Sequence, residues 1–91
     1  MGLHTSHPEI IKRLKRTAGH LQSVIAMLDG KEECLKIAQQ LQAVEKAIVN
    51  AKETLVHDHI DHCLEHAVEK GGSVSKTTLN EFKEITKYLS R

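Results

Sequence analysis

Apolar residues at Ile11, Leu14, Ala18, Leu21, Ile25 and Leu28 recur with steps of 3, 4, 3, 4 and 3, the period of one face of an α-helix. Ser6, Pro8 and Glu9 supply a start signal: a capping hydroxyl, a proline tolerated in the first turn, and a carboxylate that can reach back to the cap. Asp29-Gly30 supplies the stop, with glycine suited to the left-handed position after a helix. A second stripe follows at Cys34, Ile37, Leu41, Val44, Ile48, Ala51 and Leu55, and His59 and Cys63 extend it by two steps of four. Neither proline nor glycine interrupts positions 31–70. The pattern therefore predicts one long helix with a coiled-coil type seam, roughly 55–60 Å in length at about 1.5 Å per residue. Gly71-Gly72-Ser73 ends it, and Thr78-Leu-Asn-Glu81 reads as a capping box ahead of Phe82, Ile85 and Leu89 on one face. Three helices are expected, near 7–29, 31–69 and 76–90, in a single domain over 1–91.

Composition agrees with an all-α protomer. The 91 residues include two aromatics, Phe82 and Tyr88, and no tryptophan, which argues against a sandwich or barrel. No run of apolar residues is long enough to span a bilayer, and the start lacks the features of a secretory signal, so a cytoplasmic protein is expected. Two cysteines in that setting are thiols or metal ligands rather than a structural disulfide. The net charge of +1 hides a segregation. Lys12, Arg13, Lys15 and Arg16 face Glu9 alone among positions 1–28, whereas positions 53–69 hold Glu53, Asp58, Asp61, Glu65 and Glu69 with no Lys or Arg. One segment suits a polyanion and the other suits cations.

A long helix paired with a much shorter one leaves apolar seam uncovered, and such surface marks association. The economical assembly is a dimer of antiparallel helical hairpins, extended to a dimer-of-dimers tetramer.

His59 and Cys63 stand one turn apart on one face, so both can hold one metal ion. Cys34 precedes His59 by 25 residues, roughly 37 Å along a continuous helix, out of reach within one chain. Two long helices crossing antiparallel about a two-fold axis near Ala47 would bring Cys34 to His59 and Cys63 of the partner subunit, giving two identical sites per dimer. Ala43, Ala47 and Ala51 favour a close crossing. Two thiolates and an imidazole suit Cu(I), and with a fourth ligand they suit Zn(II) or Ni(II). A bland reading stands beside this one: each cysteine is a small buried hydrophobe on an apolar seam.

Arg13-Leu-Lys-Arg16-Thr-Ala-Gly19-His20, Met27-Leu28, Cys34, Gln39-Gln40-Leu-Gln-Ala43-Val44 and Val56-His-Asp-His59-Ile-Asp-His-Cys63 together resemble the CsoR/RcnR family of bacterial metal- and formaldehyde-responsive repressors. The likeness covers nearly the whole chain, and the Cys, His, Cys spacing matches the copper-sensing branch. The resemblance implies an all-α protein that assembles as disc-like tetramers and binds duplex operator DNA until its effector binds. It implies Cys34, His59 and Cys63 as metal ligands, and Arg13, Lys15 and Arg16 as part of the DNA-facing surface, to which the charge cluster adds Lys12. Glu81 stands where the copper branch has a Glu that couples the ligand His to the third helix. Glu33 stands where a Tyr commonly precedes the first Cys, and His20 where Gln commonly follows Gly. His4 and His7 lie where nickel and cobalt members recruit an N-terminal ligand, so a Ni(II) or Co(II) sensor is the competing member of the family. Cys63 argues against the formaldehyde branch, and His59 against the persulfide branch.

Charge alone reads Lys12, Arg13, Lys15 and Arg16 as a solvated face. Copies on a symmetric oligomer would add their phosphate contacts and give a steep salt dependence. No aromatics are placed to stack on bases, so duplex DNA is expected rather than a single strand. His57, His62 and His66 are extra imidazoles, with His62 and His66 themselves one turn apart. Other classes sharing these residues are a metal buffer that ignores DNA and a thiol switch joining Cys34 to the partner subunit's Cys63. No nucleophile is paired with an oriented base in any known motif, so the chain is not expected to be an enzyme.

Overall fold

A computed structural model describes residues 6–69, 71, 72 and 75–89. Its elements are α1 (His7–Asp29), α2 (Cys34–Glu69), α3 (Lys76–Thr86) and a closing 3-10 turn (Lys87–Leu89). Among the described residues there is no strand, and no helix is long and apolar enough to cross a membrane. The all-α, three-helix expectation holds. The chain divides into two compact units. Pro8–Ala51 forms one, and Lys52–Arg91 with the residues up to His7 forms the other.

In the unit Pro8–Ala51, α1 and the first part of α2 form an antiparallel hairpin around Val24, Ile37 and Val44, with Met27 packed against them. The buried α2 positions, Ile37, Val44 and Ala51, are seven residues apart and occupy alternate steps of the expected seam. The intervening row stays outside: Leu41 is 44% exposed and Ile48 47%. On α1 the expected stripe is not the buried one. Ile11, Leu14, Leu21, Ile25 and Leu28 are all exposed, while Ile10 and Val24 are buried and Thr17, His20 and Met27 half-buried. α1 is apolar on more than one row, and β-branched Val24 is the residue that meets Ile37 and Val44. Periodicity reveals such a helix without showing which row is satisfied inside its own chain.

The α1–α2 corner also departs from expectation. α2 begins at Cys34, the first residue of the second apolar stripe and three residues after the boundary expected near 31. Lys31 N–H donates to the Leu28 carbonyl at 3.3 Å and Glu32 N–H to the Met27 carbonyl at 3.0 Å, a Schellman pairing that satisfies the last carbonyls of α1. The left-handed residue is Lys31, φ 59°, rather than Gly30. Glu33 then caps α2, its carbonyl accepting the first helical bond from Ile37 N–H at 3.1 Å.

In the unit that contains Lys52–Arg91, α2 buries Val56 and Cys63, again seven apart, and α3 turns Phe82 and Ile85 inward. The five-residue step from Ala51 to Val56 breaks the 3-4 alternation, so His59 is half-buried instead of continuing the buried row. α2 ends in a second Schellman pairing, Gly71 N–H to Val68 and Gly72 N–H to Ala67, with both glycines at positive φ. Ser75 caps α3, its hydroxyl oxygen accepting from Thr78 N–H at 3.1 Å and its O–H donating to Thr78 Oγ1 at 2.9 Å. α3 begins at Lys76 as expected, but its cap is Ser75 rather than the expected capping box at Thr78, and Glu81 lies in the helix interior, free of a capping role.

Candidate metal centre and nucleic-acid interface

The expected metal ligands are distributed over both units. Cys34 is the exposed first residue of α2, in the unit Pro8–Ala51. His59 and Cys63 lie 25 and 29 residues later on the same helix, in the other unit. Among the described residues, no group of three or more His, Cys, Asp or Glu side chains is gathered so as to hold a metal ion.

Around His59 and Cys63 the surroundings differ on two sides. Cys63 is 8% exposed and lies in an apolar cavity of about 190 Å³ with Leu64, Ala67, Thr78, Leu79 and Phe82. Burial among these neighbours, and secondarily the Glu81 carboxylate, pushes the Cys63 thiol above the ordinary thiol value. His59 lines a larger cleft of about 510 Å³ with Thr77, Asn80, Glu81, Glu84, Ile85 and Tyr88. Within this unit, then, the carboxylate singled out from sequence lines the cleft of the imidazole and acts electrostatically on the thiol. Sequence reasoning missed Glu84 and Tyr88, because their place in the cleft depends on how α3 lies along α2. Glu84 is itself paired with Lys87 Nζ at 3.0 Å.

The other expected residues are placed as follows. Glu33 is exposed at the start of α2, its N–H donating to the Glu32 carboxylate at 3.4 Å. His7 is half-buried as the first residue of α1, and His4 lies outside the described residues. His57 and His66 are exposed and His62 is half-buried.

Lys12, Arg13, Lys15 and Arg16 are all exposed on α1. The Arg13 guanidinium lies 4.0 Å from Glu9, one turn earlier, with both side chains about half exposed (45% and 57%). Such a pair contributes little to stability. Arg13 and Arg16 share an open cavity of about 370 Å³ with Thr17, His20, Ala47 and Asn50. His20 Nε2 bonds Gln40 Oε1 at 2.6 Å, tying the cavity's α1 wall to α2. The sequence flagged the two arginines by charge; Thr17, Gln40 and Asn50 carried no such signal.

Comparisons with known proteins bear on both sites. A family model described as "Metal-sensitive transcriptional repressor" matches residues 6–91. The chain is 34% identical over 61 residues to the copper-sensing transcriptional repressor CsoR of Mycobacterium ulcerans, covering 67% of this chain and 52% of that protein. It therefore spans about half the length of that relative. It is 32% identical over 81 residues to the copper-sensing transcriptional repressor CsoR of Bacillus subtilis, covering 87% of this chain and 80% of that protein. Among solved structures, the nickel-responsive transcriptional regulator InrS superposes with a TM-score of 0.82 at 25% identity, covering 96% of each chain. These relatives are transcriptional regulators, not enzymes. The match over 6–91, the likeness to copper-sensing repressors and the shared three-helix fold place this chain in the CsoR/RcnR family of metal-sensitive transcriptional repressors.

Proposed function

We propose that residues 1–91 act as one domain, a metal-responsive repressor that holds duplex operator DNA in its metal-free form and releases it when Cu(I) binds. The reading is carried by the His59–Cys63 pair, one helical turn apart with a buried thiol, in a chain whose relatives include copper-sensing repressors. The donor set fits the ion: two sulfurs and one imidazole nitrogen are the soft ligands Cu(I) prefers. Cys34 of one protomer would act with His59 and Cys63 of the partner subunit. The exposed apolar rows, Leu41 and Ile48 on α2 with Leu21 and Ile25 on α1, support that association. A bound cation would supply positive charge and a fixed link between two helices.

The chain's own residues supply the rest. Arg13 and Arg16, with Lys12 and Lys15, present cations to backbone phosphates. Glu81, in the cleft of His59, is positioned to accept from whichever imidazole nitrogen is not used as a ligand and so to draw α3 toward α2. Release requires the protein to hold the metal more tightly when free than on DNA; a tenfold loss of DNA affinity corresponds to about 1.4 kcal/mol of coupling.

A Ni(II)- or Co(II)-responsive repressor is the second reading, supported by the likeness to a nickel-responsive regulator. His7, at the head of α1, and His4 are its additional ligands. Selection of a duplex from a random library, followed by anisotropy titrations with Cu(I), Ni(II), Co(II) and Zn(II), tests both readings. Cu(I) alone weakening the complex supports the first, and loss with Ni(II) that His7→Ala abolishes supports the second. Equal affinity with every metal refutes the repressor mechanism.

A further inference from the structure

We propose that the first turn of α3, latched by Ser75, gates Cys63, so that a reagent or cation from solution meets the thiol when that turn lifts from α2. The proposal deepens the metal reading above, because Cys63 is one of its ligands, and thiol chemistry in metal-free protein tests it separately.

Three observations carry it. First, Cys63 is 8% exposed and lines the apolar cavity of about 190 Å³. Leu64 and Ala67 line it from α2, and Thr78, Leu79 and Phe82 from α3. Beside the thiol, Thr78 is the polar side chain in this set, and its hydroxyl oxygen already accepts from Ser75 at 2.9 Å. A hydrated cation entering the closed cavity would give up water for little more than one thiol, a costly exchange.

Second, α3 is anchored past its first turn. None of its residues is buried; Phe82 and Ile85, in later turns, are half-buried. Of residues 76–79, Thr78 is half-buried, Lys76 and Thr77 are exposed, and Leu79 is 44% exposed. Few buried contacts mean a low free energy of local opening, so the turn that covers the thiol is the part of α3 that lifts most readily.

Third, the bonds recorded for this turn converge on one exposed residue. Ser75 Oγ accepts from Thr78 N–H at 3.1 Å, its O–H donates to Thr78 Oγ1, and its carbonyl accepts from Leu79 N–H at 3.0 Å. Removing the hydroxyl breaks two of these three while leaving Phe82 and Ile85 in place. Ser75 is thus a positioning residue that acts on Cys63 through Thr78 and Leu79.

The test is alkylation of reduced, metal-free protein by iodoacetamide at fixed pH, followed for each cysteine by mass spectrometry, with exposed Cys34 as the internal reference. Ser75→Ala should speed Cys63 about fivefold and leave Cys34 unchanged, the factor that loss of a helix cap gives to fraying. Ser75→Thr, which keeps a capping hydroxyl, should return Cys63 to near the wild-type rate. Val24→Ala, which cuts into the core of the other unit, should leave Cys63 slow. An unchanged Cys63 rate in Ser75→Ala overturns the latch. Equal acceleration in Ser75→Ala and Val24→Ala assigns exposure to unfolding of the whole chain and also overturns it.

Unmutated protein covers the case in which a variant misfolds. Across low urea concentrations, Cys63 alkylation should follow amide exchange at Thr78 and depend only weakly on urea. A Cys63 rate that climbs with the slope of global unfolding overturns the gate. Added Cu(I) should suppress the Cys63 reaction. Cu(I) that leaves it unchanged overturns the ligand reading while the cap comparison still stands, so the two failures are distinguishable.

Discussion

Replacing Arg16 by Gln leaves a shorter polar side chain at this position and removes one positive charge per protomer. Each phosphate neutralised by a cation contributes about 0.9 to the slope of log affinity against log salt. A symmetric dimer that applies both copies to one duplex therefore loses about 1.8 from that slope. Across a fourfold rise in salt, from about 50 to 200 mM, each contact is worth roughly a 3.5-fold change in affinity, and two copies roughly twelvefold. The variant should thus bind more weakly than wild type at low salt and approach it at high salt. Glu9→Gln is the opposing control. It removes the carboxylate 4.0 Å from the Arg13 guanidinium, so the slope should steepen or stay level, never flatten. Anisotropy titrations at four or five salt concentrations give the slopes directly. An Arg16→Gln slope equal to wild type would refute the claim that this face of α1 meets the DNA backbone.

Four further outcomes follow from local structure. In metal-free protein, exposed Cys34 should be alkylated by iodoacetamide well before buried Cys63; Glu81→Gln should speed the slow site near neutral pH while leaving it slower than Cys34, because the carboxylate adds to the larger effect of burial in holding the thiol protonated. The same shift sets a sign for stability: the folded thiol holds its proton where the unfolded one has lost it. The urea midpoint of metal-free protein should therefore fall as pH rises above the ordinary thiol value, and less so in Cys63→Ala. Lys31→Gly should stabilise by about 1 kcal/mol, since a side chain held at φ 59° costs roughly that relative to glycine; an unchanged or lower urea midpoint at fixed protein concentration would count against the strained corner. Ser75→Ala should cost about 1 kcal/mol and fray α3, read as faster amide exchange at Thr78 than in wild type.

Helix number and type were legible from sequence because 3.6-residue periodicity and stop signals are local properties. The start of α1 near Ser6 and the glycine stop after α2 needed no tertiary information. The corners were less legible. Gly30 invited assignment as the left-handed residue, yet the Schellman bonds put Lys31 there, and Thr78 was expected to cap α3 where Ser75 does so. Ser75 and Thr78 are hydroxyls three residues apart, and the left-handed position falls on Lys31 because that is where the N–H groups after α1 meet the carbonyls of Met27 and Leu28.

The sequence by itself determined the kind of element, the separation of basic from acidic segments, and the one-turn spacing of His59 and Cys63. Those features follow from residue order along a helix. Tertiary structure alone decided which apolar row each helix buries: Val24 rather than Leu21 on α1, and Val44 rather than Leu41 on α2. It likewise decided that Glu81 shares a cleft with His59, and that His20 reaches across to Gln40 beside two arginines. A periodic pattern gives the angle between side chains on one helix, whereas contacts between helices depend on rotation and register, which only packing fixes.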